Sequence, residues 1–158
     1  MGLVPDDLAC FAVHVAAREL DSAYRRELRP LGLTYPQYLT MLLLWDRDGR
    51  SVKELGAALR FDSGTLSPLL KRLEGSGLLT RERSQADERS VLIHLTAEGR
   101  RLQERGEHVV DRVFGGLDFS VADAERLHDG LRHLITALGA AADPPDQAAG
   151  RADTRATE

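Results

Sequence analysis

Asp62-Ser63-Gly64-Thr65-Leu66-Ser67-Pro68-Leu69-Leu70-Lys71-Arg72-Leu73-Glu74 sets leucines at positions 66, 69, 70 and 73, the spacing of a helix with one buried face. Short hydroxyls (Ser63, Thr65, Ser67) gather at its start, Lys71 and Arg72 stand one to two turns further on, and Gly75 or Gly77 closes it. Pro68 lacks a backbone donor and clashes with the preceding turn. Two readings follow: a late start with Ser67 as cap and Pro68 in the first position, or a start near Ser63 with a bend.

Upstream, Ser51-Val52-Lys53-Glu54 matches a capping box, a hydroxyl followed three residues later by a carboxylate. It predicts a short helix over Val52 to Leu59 with Leu55 and Leu59 inward, separated from the next helix by a brief break at Phe61–Thr65. Downstream the period changes. Leu78–Arg83 and Ser90–Leu95 read as two short strands, joined as a hairpin by the polar run Ser84–Glu88. Helix, tight turn, helix and hairpin make a winged helix-turn-helix, mainly α with a small β-hairpin wing. The second helix of such a unit lies in a major groove, with its first side chains at base edges and its cations at phosphates. Ser63, Thr65, Ser67, Lys71 and Arg72 are therefore candidate DNA contacts. Arg83 and Arg89 flank the hairpin tip, where a wing reaches a minor groove.

The flanks carry longer patterns. Asp6 to Leu28 reads as an amphipathic helix through Leu8, Phe11, Val15, Leu20, Tyr24 and Leu28, with Pro5-Asp6-Asp7 as its start. Pro30 and Gly32 end it, and a second helix opens at Pro36 and runs to Gly49. Thr96 begins a helix to about Phe114, and Ser120 caps a last one with Leu127, Leu131, Leu134 and Leu138. The expected organisation is one domain over residues 6–139, with the winged helix at 36–95 and terminal helices at 6–29 and 96–139. The Ala-, Asp- and Pro-rich stretch 140–158 reads as a disordered tail. The terminal helices have stripes wider than a small core covers, so they are expected to pair two copies into a homodimer. Such a dimer presents two recognition helices to a pseudo-palindromic double-stranded DNA site.

With 42% apolar and 29% charged residues, the composition is that of a folded soluble chain. No apolar run reaches membrane-spanning length, and Met1–Asp7 lacks a basic start before an apolar run. The cytoplasm is the expected compartment, with no membrane partner. The net charge of −4 argues weakly against a nucleic-acid partner, but residues 60–89 hold six cations against five anions, so the acidity lies elsewhere. Five histidines without a common ligand spacing give no metal site, and no phosphate loop or hydrolase motif is present; neither a cofactor nor enzymatic activity is expected.

Three strings carry a resemblance: Leu33-Thr34-Tyr35-Pro36-Gln37-Tyr38-Leu39, the Asp62–Glu74 string, and Asp87-Glu88-Arg89-Ser90-Val91. Together they resemble the MarR family of transcriptional regulators and, within it, the organic-hydroperoxide-resistance repressors, over about Leu8 to Leu138. The resemblance implies a recognition helix starting near Asp62, a wing in which Asp87 buttresses Arg89, and a redox-sensing cysteine at Cys10.

Cys10 is the chain's single cysteine, so no intramolecular disulfide is available. It falls about one turn into the expected first helix, where the macrodipole favours a thiolate, the form that attacks peroxides. Tyr24, fourteen residues on, lies roughly 40° from the same face but ~21 Å along the axis, out of reach within one chain. The resemblance implies an antiparallel pairing that brings Tyr24 of one subunit to Cys10 of the other, with Tyr35 as a second donor. Relatives often carry an aromatic hydroxyl where this chain has His14. Lacking a resolving cysteine, a sulfenic acid formed from an organic hydroperoxide is expected to end as a mixed disulfide with a small thiol or over-oxidised. Two rivals remain: a repressor gated by a phenolic or aromatic acid, and a thiol peroxidase, which the recognition and wing strings disfavour.

Overall fold

The computed structural model describes residues 4–83 and 90–142. It divides into two compact units, one ending at Gly116 and the other starting at Leu117. Among the described residues no helix is long and apolar enough to cross a membrane.

The first unit opens with a single 3-10 turn, Pro5–Asp7, followed by α1, Ala9–Leu28. The helix expected from Asp6 thus starts three residues late. Pro5 and the two aspartates are used in the 3-10 turn, and Leu8 stands at the cap without a side-chain bond. A second 3-10 turn, Arg29–Leu31, ends at Gly32 with φ 69°, which glycine adopts without a Cβ penalty. Helix α2, Tyr35–Asp46, begins one residue before Pro36 and stops short of Gly49. Its start is fixed by a capping box the strand-and-helix pattern hid: Gln37 Oε1 accepts from the Thr34 amide at 2.8 Å.

Helix α3, Val52–Leu59, matches its expected span, and Ser51 Oγ accepts from the Glu54 amide at 3.1 Å. The turn out of it passes through Arg60 in the left-handed region at φ 55°, a conformation that costs an L-residue about 1 kcal/mol. Helix α4, Ser63–Gly75, takes the early start, with Pro68 inside it. Asp62 is the cap: its Oδ1 accepts from the Thr65 amide at 2.7 Å, so Ser67 does not cap anything.

The wing strands are β2, Leu79–Arg83, and β3, Val91–Leu95, antiparallel with Leu79 opposite Leu95 and Arg83 opposite Val91. A third strand, β1 (Arg50–Ser51), pairs with β3 through Arg50↔Ile93, so the expected hairpin is a three-stranded sheet in the order β1-β3-β2. Two residues are too few to show a period of two. Asp87, Arg89 and the Ser84–Glu88 connection lie outside the described residues.

The helix expected from Thr96 to Phe114 breaks at His108 into α5, Ala97–Glu107, and α6, Val109–Phe114. Val109 is fully buried and Val113 is buried too, on the face that continues Leu102 and Gly106 of α5. The core is built around α2, whose Tyr38, Met41 and Leu44 meet Leu28, Leu55, Leu66, Leu70, Leu73, Leu79 and Ile93. Trp45 lies along α5 between two glycines: its Nε1 donates to the Gly99 carbonyl at 2.9 Å, and a Cβ on Gly106 would sit 2.3 Å from its ring.

Gly99 is the tightest point. A Cβ there would stand 2.1 Å from the Leu78 carbonyl oxygen, a backbone atom that also receives the Thr96 amide at 3.1 Å. Alanine would add about 1 kcal/mol of helix propensity but force the strand and helix apart. Gly99→Ala is expected to lose about 2 kcal/mol net, read as a lower urea midpoint with an unchanged slope.

The second unit contains α7, Val121–Ala142, which starts where Ser120 was expected to cap it: Ser120 Oγ accepts from the Asp123 amide at 3.1 Å. It runs three residues past the expected end of the domain. Leu127, Leu134, Ile135 and Leu138 along it are exposed.

Candidate functional site

The four buried leucines of α4 point to one side, toward α2 and α3. At about 100° per residue, Gly64, Pro68, Lys71 and Gly75 lie within about 30° of the opposite, outward pole. All four are exposed. Ser67 and Arg72 stand about 70° to either side of that ridge, and Ser63 and Thr65 about 90–110°, on the flanks. The Asp62 carboxyl accepts from the Thr65 amide, and hydrogen bonding by Thr65 holds it below the usual carboxylate range. Sequence reasoning singled out the hydroxyls and passed over Gly64 and Pro68, although the leucine spacing alone places both on the ridge.

The wing adds charge, some of it used internally. Arg81 Nε pairs with Glu74 Oε2 at 3.1 Å, tying β2 to the end of α4. Lys71, Arg72, Arg83 and also Lys53 make no ion pair among the described residues. Lys53, Ser67, Arg83 and Ser90 line a cleft of about 780 Å³ between the start of α3, the middle of α4 and the wing. A groove that presents Lys53, Arg83 and hydroxyls, with Glu82 as its one carboxylate among the described residues, suits a phosphate backbone, whose contacts set register while base edges specify sequence.

Cys10 is exposed and is the second residue of α1, nearer the helix start than the expected full turn. There the free first-turn amides and the macrodipole favour an anion. Tyr24 and Tyr35 are far from it within the chain but close to each other, with ring centroids 4.6 Å apart and planes tilted by 44°. Tyr38 follows at 6.2 Å from Tyr24 and donates its hydroxyl to the Gly106 carbonyl at 3.1 Å. Burial, with Tyr35 and Tyr38 adding to it, pushes the Tyr24 phenol up to about 12, so it stays a neutral donor throughout the physiological range. His14 is exposed.

Leu28 is the one buried residue of α1. Leu8, Phe11, Val13, Val15 and Leu20 each keep 36–40% of their surface open. Beside the tyrosines, Asp21, Arg25, Arg29, Thr34 and Tyr35 line a cavity of about 480 Å³, with Arg25 hydrogen-bonded to Asp21.

The family model for the transcriptional regulator SarA/Rot matches residues 23–105, just over half of the chain. The organic hydroperoxide resistance transcriptional regulator of Bacillus subtilis is 43% identical over 129 residues, 82% of this chain and 88% of the relative. Reduced AbfR bound to DNA superposes with a TM-score of 0.74 at 32% identity, covering 85% of this chain and 92% of that one; AbfR comes from Staphylococcus epidermidis. Over-oxidised AbfR bound to DNA superposes at 0.69 with 33% identity, covering 82% and 90%.

Proposed function

The chain belongs to the MarR-type winged-helix transcriptional regulators, in the organic-hydroperoxide-resistance branch, and on that premise we propose that it is a cytoplasmic homodimeric repressor released from a pseudo-palindromic operator by oxidation of Cys10. It is a regulator and not an enzyme. One observation carries the redox reading. An exposed cysteine stands at the start of a helix with open apolar side chains, and Tyr24, in contact with the tilted ring of Tyr35, stands near the same face at that helix's other end. Antiparallel pairing of two α1 helices sets Tyr24 and Tyr35 of the partner subunit against Cys10, where their hydroxyls donate to the sulfur.

The Cys10 thiolate attacks the distal oxygen of an organic hydroperoxide. The O–O bond breaks, the alkoxide leaves and takes a proton to become an alcohol, and Cys10 becomes a sulfenic acid. A small thiol then attacks that sulfur, releasing water and forming a mixed disulfide. The added group does not fit a packed pairing of helices, so the spacing of the two recognition helices changes. An over-oxidised relative caught on DNA favours the mixed disulfide, rather than further oxidation, as the releasing product. The exposed apolar side chains at this end of the first helix, Leu8 and Phe11 among them, favour peroxides with an apolar substituent over hydrogen peroxide.

The cavity beside Tyr35 supports a second reading, since Arg25, Arg29 and an aromatic ring suit a small aromatic acid. One titration separates the two. The dimer is loaded on a duplex enriched by the protein from a randomised library, then treated with cumene hydroperoxide plus cysteine, with hydrogen peroxide, or with salicylate. Release by cumene hydroperoxide at the lowest concentration, with the mass of cysteine added to the Cys10 peptide, is expected. Release by salicylate with Cys10 unmodified would select the ligand-gated reading.

A further inference from the structure

We propose that Pro68 reads sequence directly, by packing its ring on the 5-methyl group of a thymine in the major groove. The inference rests on α4 being the recognition helix. Of the four residues within about 30° of its outward pole, two are glycines and one is Lys71. Pro68 is thus the only apolar side chain on the ridge, and it is exposed. A proline inside a helix is much less favourable than alanine, because it removes a backbone donor and its ring crowds the preceding turn. Here it stands on the surface, away from the leucines that hold α4 to the core, so packing within this chain does not explain it.

The neighbouring residues fit a close approach. Gly64 and Gly75, on the same line, present no side chain, so the backbone on either side of Pro68 comes nearer to a surface laid along the ridge. Pro68 also has no N–H to give the Gly64 carbonyl four residues back, and its ring bends the helix away from that carbonyl. The ring is then the most prominent apolar body on the face. In the major groove the complementary apolar group is the thymine methyl, which adenine, guanine and cytosine lack. Lys71, one turn on, is left to reach a phosphate or a guanine edge.

The test uses the full-length dimer and the duplex it enriches from a randomised library, with each thymine replaced in turn by deoxyuridine, which removes only the methyl. Wild type is expected to lose about fourfold in affinity at one symmetry-related thymine in each half-site, the value of one buried methyl-sized group. Pro68→Ala should bind the thymine and uracil duplexes equally at that position. Pro68→Val, which restores the N–H but keeps an apolar body, should retain most of the discrimination. Equal responses of wild type and Pro68→Ala at every thymine, with operator binding intact, would overturn the proposal and leave the DNA-binding reading standing. Retained discrimination in Pro68→Ala would overturn it as well. Loss of all sequence preference in the wild type itself would instead remove the premise that α4 reads DNA.

Discussion

Cys10→Ser protein is expected to stay on its operator at cumene hydroperoxide concentrations that remove the wild type completely. Oxygen replaces sulfur in a side chain of nearly the same shape that no hydrogen bond among the described residues holds, so the fold and the unoxidised affinity should hold within about twofold. A serine hydroxyl stays protonated at neutral pH and forms no stable S–O or S–S bond, so the switch loses its only chemistry. The chain has no second cysteine to take over. Electrophoretic mobility shift at fixed protein and rising peroxide measures the effect. Release of Cys10→Ser at the wild-type concentration would place the sensor elsewhere, with methionine or the cavity beside Tyr35 next in line.

The proposed switch needs an anionic sulfur, and two sources of support are available to it. Within one chain the first-turn amides of α1 favour the anion, while Asp6 and Asp7 in the preceding 3-10 turn oppose it. Hydrogen-bond donors are the other source, and among the described residues of the same chain none reaches the sulfur. A Tyr24 phenol held up to about 12 donates without competing for the charge, which is the property a supporting group needs. On the proposed antiparallel pairing, the partner subunit is part of the sensor.

What the sequence showed and what it hid divide on physical lines. The Ser51–Glu54 box and the leucines at 66, 69, 70 and 73 are local signals, and both returned the element they implied. Pro68 left α4 with two possible starts because its local cost and the leucine packing pull in opposite directions. The buried leucines and the Asp62 cap outweigh it. The break at His108 was invisible because a bend preserves the apolar spacing on either side of it. The cluster of Tyr35, Tyr24 and Tyr38, and the seat of Trp45 between Gly99 and Gly106, arise from residues far apart in the chain. For the candidate site, Cys10 stood out in the sequence by its uniqueness and its helix. Lys71 was legible as a cation on the second helix, whereas its neighbours on the ridge, Gly64 and Pro68, carry neither charge nor hydroxyl to mark them.

The largest effect on DNA binding should come from a surface that touches no DNA. Val13 and Leu20 are two turns apart on α1, on an arc that continues into half-buried Ala23 and Tyr24, and they keep 40% and 38% of their surface open. A single chain therefore loses little when both become glutamate, a better helix former than valine. A dimer that buries them loses much more, because four carboxylates enter a desolvated seam without partners. Val13→Glu/Leu20→Glu protein is expected to sediment as a folded monomer with an unchanged helical circular dichroism spectrum. Its operator affinity should fall by about a hundredfold or more, since each recognition helix then binds without the effective concentration its twin supplied. Affinity for an isolated half-site should not change. A double variant that remains a dimer would move the interface off this arc of α1. A monomer that kept full operator affinity would show that the two recognition helices do not act together, and the pairing of Cys10 with the partner subunit's Tyr24 would lose its basis.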